Sequence, residues 1–187
     1  MRTNKEFLDS LSSPLSRFYL YDFHVHSPGS YDMCEGDRYE SLSDEEKKYL
    51  TKLKSIPADI AHYDEEITKT FPIDQYYDLL VKRKNEVAES QGISDSANWS
   101  IIAITDHNVA NYSCELSKHA WCNKKSGKLI ILPGIELSIC FKIDNEKDEC
   151  NIHVLCIYQP NTNAGDIRLS IANASDSSWE FGKEIKI

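Results

Sequence analysis

Ionisable side chains stand at or near the ends of four strand-like apolar runs in this chain of 187 residues. The runs read YDFHVH at residues 21–26, IIAITDH at 101–107, LIILPGIE at 129–136 and IHVL at 152–155. Because α/β folds bring the ends of parallel strands together at one edge of the sheet, we expect these side chains to converge. Their types, imidazoles and carboxylates, predict a metal-dependent hydrolase.

The first run carries a pair of histidines. His24 and His26 lie two residues apart on a predicted strand, so both imidazoles project from one face, a spacing that suits chelation of a single metal ion. Two surface histidines are the alternative interpretation. Asp22 shares that face, and Asp32 follows in a loop that contains Pro28-Gly29-Ser30. Asp32 is either a solvated loop acid or a carboxylate that folds back onto the metals.

The second run ends in Asp106-His107. In α/β folds, functional residues lie at this C-terminal end of a buried strand. The alternative is that Asp106 or Asn108 caps a following helix. Glu136 ends the third run after a glycine, and its two oxygens can bridge two metals. His153 interrupts an aliphatic run and is either a core histidine or a ligand.

Together these residues form a mixed set of four imidazoles and two carboxylates. The candidate metal ligands are His24, His26, Asp32, His107, Glu136 and His153. Such a set suits Mn, Zn or Fe and does not suit Ca, which prefers oxygen ligands. Two or more close metals clamp a phosphate ester and generate hydroxide for in-line attack. Asp106, His107 and Glu136 are the candidate catalytic residues.

The elements that must position these residues follow a β-α-β-α-β order. Strands are predicted at 18–24, 100–105, 128–141 with an interruption at Pro133-Gly134, and 153–158; helices are predicted at 44–56, 74–90 and from a Ser113 cap to about Lys124. This order favours parallel pairing of the first three strands. The connection from the third strand to the fourth is too short for a helix, so it is either a hairpin or an irregular crossover.

The net charge and the cysteines indicate the cellular compartment and the partners of the chain. The formal net charge of −9 repels a nucleic-acid backbone unless metals or a basic patch offset it, and the dense basic spots are Lys82-Arg83-Lys84 and Lys124-Lys125. No signal-like apolar segment opens the chain, and no apolar run is long enough to span a membrane. The six cysteines form no CxxC. We therefore expect a cytoplasmic protein with reduced cysteines and no membrane partner.

Four motifs resemble those of the polymerase and histidinol phosphatase (PHP) family. HVHSPGSYD, TDHN, PGIE and IHVL occur in the order of that family, and the resemblance spans about Tyr19 to Tyr158. It implies an α/β fold, a distorted TIM-like barrel of seven strands of which about four are present here. It also implies phosphoester hydrolysis at a centre of up to three divalent metals, on a phosphorylated small molecule or a nucleic-acid end.

The resemblance also implies a role for each ligand. His24 and His26 would hold a first metal, Glu136 would bridge it to a second held by His153, and Asp32 and His107 would hold a third. The loop sequence PGSYD at residues 28–32 and an acidic insertion at about 33–72 resemble those of PHP modules that are fused to AAA- or SMC-like ATPases. An ATPase domain or subunit is therefore an expected partner.

The chain departs from the family pattern after His153. The family has a further His or Cys and a late Asp-x-His pair, whereas this chain has no later histidine and only Cys156. We therefore divide it into a polar lead-in at 1–17, the N-terminal part of a PHP hydrolase domain at 18–158 and an irregular tail at 159–187. Either the chain belongs to a longer protein, or it is a half-barrel that associates with itself or another chain to cover an open sheet edge.

Three functions follow from these readings. The leading one is a metal-dependent phosphoesterase that forms part of a larger protein. The second is a catalytically incomplete PHP-like module that binds a partner or a nucleotide, which the missing late ligands favour. The third is a nuclease that acts on nucleic-acid ends.

Overall fold

A computed structural model gives the chain a mixed α/β fold. It describes residues 18–30, 48, 67–69, 71–90, 92, 99–142, 149–175 and 185–186. The predicted lead-in at 1–17, Asp32, the predicted helix at 44–56 (residue 48 excepted) and most of the acidic insertion lie outside the described residues.

The described elements alternate between strands and helices up to the third strand. They are β1 (Phe18–Val25), α1 (Ile73–Ser90), β2 (Trp99–His107), α2 (Asn111–Gly127), β3 (Leu129–Lys142), β4 (Glu149–Ile157), α3 (Ala164–Ala174) and β5 (Ile185–Lys186). The sheet has the order β1-β2-β3-β4, and the short β5 also pairs with β3. No helix within the described ranges combines the length and apolar character that a membrane span requires.

The pairing confirms the expected parallel core of the sheet. β1 pairs with β2, and β2 with β3, in parallel. β3 and β4 are antiparallel, which resolves the open connection in favour of a hairpin-like arrangement. The β2–β3 register ends at the pair His107 and Glu136, and β5 pairs with β3 only at Ile139 and Cys140. Glu136 therefore stands where β3 parts from β2.

The helices pack on one face of the sheet. Ile104 of β2 and Ile131 of β3 belong to an apolar cluster with residues of α1 and α2. A second cluster joins β3 to α2 and α3, and Val154 of β4 packs against it. We call this side of the sheet the helix face and the opposite side the site face.

Strand alternation assigns the candidate residues to the site face. Successive side chains of a strand point to opposite sides, and Val25, Ile104, Ile131 and Val154 all pack on the helix face. His24, His107, Glu136 and His153 lie an odd number of positions from these residues and therefore project from the site face. Asp106, two positions from Ile104, projects from the helix face.

Two details of the predicted elements are wrong. Ser113 is not an N-cap, because α2 begins two residues earlier and the Ser113 hydroxyl donates to the carbonyls of Ala110 and Gly134. β3 also runs through Pro133-Gly134 without interruption. Proline removes one donor from the ladder, but the Pro133 carbonyl still accepts a bond of 2.9 Å from the Tyr158 amide.

The prediction of an irregular tail at 159–187 is wrong where the structure describes it. Residues 164–174 form α3, and the side chain of Asn163 caps it by accepting a bond of 2.9 Å from the Asp166 amide. The helix buries Ile167 and Ile171, one pair at a spacing of four residues. A single such pair is too little to establish a helical period in the sequence.

Candidate metal centre

The carboxylate of Glu136 is the centre of the site. Its side chain is only 5% exposed. Four imidazoles surround it: His24 on β1, His26 directly after β1, His107 on β2 and His153 on β4. Oε2 lies 2.9 Å from Nε2 of His26, 3.4 Å from Nε2 of His107 and 3.5 Å from Nε2 of His24. Oε1 contacts Nδ1 of His153. One carboxylate thus faces four ring nitrogens, a donor set suited to Zn, Mn or Fe.

The spacing of these atoms fits a metal coordination sphere. With metal–ligand bonds of about 2.0–2.1 Å, neighbouring ligand atoms lie about 3.3–3.4 Å apart in a tetrahedron and about 2.9 Å apart in an octahedron. The distances from Glu136 Oε2 to His107 and His24 are close to the tetrahedral value, whereas the distance to His26 is shorter. Charge-assisted N–H···O hydrogen bonds are typically about 2.7–2.9 Å long, so among the three contacts of Oε2 hydrogen bonding alone accounts for the one with His26.

The ligands divide into two groups that share Glu136. Site A consists of His24, His26 and Glu136, and site B consists of His107, Glu136 and His153. Within each group the ligand atoms all lie within 4.8 Å of one another. A carboxylate common to both groups can give one oxygen to each of two metals, as the sequence predicts for Glu136.

The four imidazoles form one continuous row. His24 and His26 make an edge-to-face contact with ring centroids 4.9 Å apart, His26 and His107 one of 4.7 Å, and His107 and His153 one of 5.1 Å. The two end rings are exposed by about half, at 47% for His24 and 51% for His153. His153 is therefore not a core histidine, and the alternative reading of this residue is wrong.

Two buried hydroxyls lie behind the site A histidines. Thr105 Oγ1 is 2.9 Å from Nδ1 of His24, and Ser30 Oγ is 3.3 Å from Nδ1 of His26. The Ser30 oxygen also accepts a bond of 3.3 Å from the backbone amide of His107. Neither hydroxyl is among the site residues predicted from the sequence. Thr105 could have been found by strand alternation, since it lies two residues before His107 and shares its face.

Asp106 lies on the other side of β2 from the candidate metal ligands. It is completely buried, Oδ1 accepts a bond of 2.6 Å from the Ser27 amide, and Oδ2 accepts one of 2.6 Å from the Ser27 hydroxyl. Asn108 does not cap α2, because its side chain pairs with the backbone and hydroxyl of Ser138. In the described part of the chain, neither ligand group includes Asp106.

The turn after β1 is held in place by contacts with both α1 and α2. The Ser30 amide donates to the Ser27 carbonyl at 3.0 Å, which closes the turn. A Cβ on Gly29 would lie 2.6 Å from the Cβ of Tyr112, so only glycine permits this approach to α2. On the α1 side, the Tyr76 hydroxyl donates to the His26 carbonyl at 3.3 Å. Desolvation, with the charge of Asp106, raises the pKa of Tyr76 above its ordinary value, so the hydroxyl remains a donor.

The arrangement differs in one respect from the resemblance. The family scheme pairs His107 with Asp32 at a third metal, whereas the described residues bring His107 to Glu136 and His153. Because Asp32 lies outside the described residues, its role as a ligand stays a prediction. Five of the six predicted ligands, all but Asp32, meet at one place on the site face.

Comparison of the chain with protein-family models, curated proteins and solved structures gives no match. The assignment of a function therefore depends on the motifs of the sequence and the geometry around Glu136.

Proposed function

We propose that the chain is a metal-dependent phosphoesterase, which hydrolyses phosphoric esters with water at sites A and B, and that its sheet is part of a TIM-like barrel of the PHP type. The observation that carries the proposal is the position of Glu136, whose carboxylate is shared by two groups of histidines. The order of the HVH, TDHN, PGIE and IHVL motifs supports the choice of phosphoesters over other substrates of metal hydrolases.

The charge of the ligand set favours an anionic substrate. Four neutral imidazoles and one carboxylate carry a single negative charge, so two divalent cations would leave an excess of about three positive charges at the site. A chain with a formal net charge of −9 can in this way attract a phosphate locally. When bound, the two cations would neutralise charge on the ester and activate the attacking water.

The exposure of the ligands indicates the direction of substrate approach. Glu136 and His107 form the floor of the site, with side chains 5% and 11% exposed. His24 and His153 stand at its two sides and are open to solvent. A phosphoryl group is therefore expected to enter between these two histidines, with its ester substituent pointing outward.

The test is hydrolysis of p-nitrophenyl phosphate and bis-p-nitrophenyl phosphate by protein loaded with Mn or Zn. We expect metal-dependent turnover in the wild type and a loss of about 100-fold or more in His26→Ala and Glu136→Gln. His119→Ala is the matched control, since this histidine lies on α2 and its ring packs against Tyr77. Bound metal without turnover would favour the catalytically incomplete module, and absence of metal binding would overturn the proposal.

A further inference from the structure

The two hydroxyls behind site A are arranged in the same way. Each lies within hydrogen-bond distance of Nδ1 of a histidine whose Nε2 faces Oε2 of Glu136. Thr105 and Ser30 are both completely buried. Because both residues are buried, bulk water cannot take the place of either hydroxyl beside Nδ1 unless the sheet or the turn opens.

This arrangement accommodates the tautomer that metal ligation through Nε2 requires. A neutral imidazole carries a proton on one nitrogen and a lone pair on the other. A hydroxyl can donate to Nδ1 or accept from Nδ1–H. When it accepts, the lone pair on Nε2 is available to a metal ion held between the ring and Glu136. The Ser30 oxygen also accepts a bond from the His107 amide, so its position is fixed by β2 as well as by its own turn.

Site B lacks an equivalent contact at its exposed end. His153 meets Glu136 through Nδ1, and its side chain is 51% exposed. In the described part of the chain, no hydroxyl contacts the other ring nitrogen of His153. Within the described residues the ring is held by Glu136 and His107 alone, without a hydroxyl at its second nitrogen to fix the tautomer.

We propose that Thr105 and Ser30 are positioning residues that hold His24 and His26 in the Nδ1–H tautomer, so that site A binds metal more tightly than site B and fills first. The inference rests on the proposed metal centre. It adds an order of loading to that centre, which the donor set alone does not give. Outer contacts of this kind typically change metal affinity by about 10- to 100-fold.

The test is a titration with buffered free Zn, followed by metal content and by competition with a chromophoric chelator. Thr105→Val keeps the shape of the side chain and removes the oxygen, whereas Thr105→Ser keeps the oxygen. We expect Thr105→Val to weaken the tighter binding event by about 10- to 100-fold. Thr105→Ser should stay within about threefold of the wild type, and His153→Ala should remove the weaker event only.

A second variant and a spectroscopic measurement test the same positioning role independently of Thr105→Val. Ser30→Ala acts on His26 from the turn, and it should weaken the same tight event if Thr105→Val fails to fold. Co titration should show the change in the absorption of the first equivalent bound. Wild-type binding by both Thr105→Val and Ser30→Ala would overturn the positioning role while leaving the metal centre intact. A wild-type protein that binds no metal would overturn both proposals.

Discussion

Both carboxylate oxygens of Asp106 accept hydrogen bonds from one residue, Ser27, through its backbone amide and its hydroxyl, each at 2.6 Å. The contact joins two segments that are 79 residues apart in sequence. It fixes the turn that follows His26 to the strand that carries His107. The positions of these two ligands are therefore set relative to each other by a contact that lies on the opposite face of β2.

Replacement of this carboxylate should destabilise the protein. Asp106→Asn exchanges one acceptor for a donor that faces the Ser27 amide or hydroxyl, and hydrogen bonds to charged groups contribute about 1.5–3 kcal/mol each. We expect the free energy of unfolding to fall by about that amount in chemical denaturation. The exposed Asp78→Asn on α1 is the control and should unfold like the wild type. A stable Asp106→Asn with lost activity would instead support the catalytic role predicted from the sequence.

Loss of the shared carboxylate should empty both sites. Glu136→Gln keeps the shape of the side chain but removes the charge that both ligand groups depend on. Elemental mass spectrometry of protein purified without chelator should find about two equivalents of metal in the wild type and less than half an equivalent in the variant. Glu115→Gln on α2, a carboxylate 62% exposed, is the control and should keep the wild-type content. Equal contents in Glu136→Gln and the wild type would contradict the shared role.

Removal of metal should lower stability. A ligand that binds only the folded state stabilises it by about 2.7 kcal/mol at a free concentration 100 times its Kd. Addition of a chelator should therefore lower the melting temperature of the loaded wild type. The same addition should have little effect on a His24→Ala/His26→Ala/His153→Ala triple variant, whereas His119→Ala should respond like the wild type. A wild-type melting temperature that is insensitive to chelator would count against ligation by these residues.

A methyl group at position 134 should disturb both the fold and site A. A Cβ on Gly134 would lie 2.8 Å from Cγ2 of Thr105 and 3.0 Å from the carbonyl oxygen of Cys156. Overpacking of this kind costs about 1–3 kcal/mol. Gly134→Ala should therefore unfold at lower denaturant and bind metal more weakly, through displacement of Thr105 from His24. Gly165→Ala is the comparison, since its Cβ would meet only the end of the Asn163 side chain.

The cysteines should differ in their rates of alkylation. Cys114 and Cys122 are both free thiols on α2, the first buried and the second exposed. Burial, with the charge of Glu115, raises the pKa of Cys114 to about 12. Because the thiolate is the nucleophile, its fraction at pH 8 is only about 10⁻⁴ for a thiol with that pKa. Peptide mapping after iodoacetamide treatment should show early modification of Cys122, with Cys114 protected until the protein is denatured. Equal rates in native protein would contradict the burial of Cys114.

The strands of the site could be predicted from the sequence because each is a short apolar run with an ionisable end. β2 illustrates this, since the run from Ser100 to Thr105 predicts a strand buried on both faces, and His107 follows at its end. The approximate bounds of α1 were also accessible, because its apolar residues follow a helical period and Gly92 marks its end.

The contacts that support the site could not be predicted in the same way. Ser30 contacts His26 and His107 because the turn that contains it is hydrogen-bonded to Asp106 through Ser27. Ser27 and Asp106 are 79 residues apart, so their contact leaves no local pattern in the sequence. The place of Asp106 at a strand end predicts a catalytic role, but strand alternation directs its side chain towards the helices. The side chain of the next residue, His107, projects from the site face instead.

The candidate metal ligands lie on or next to four different strands, and this has a consequence for folding. His26 and Glu136, which share site A, are 110 residues apart along the chain, so they meet only after β1, β2 and β3 have paired. Contacts between such distant segments are formed late because chain closure must come first. A metal bound at Glu136 is therefore expected to slow unfolding of the assembled sheet and to leave the rate of its formation almost unchanged.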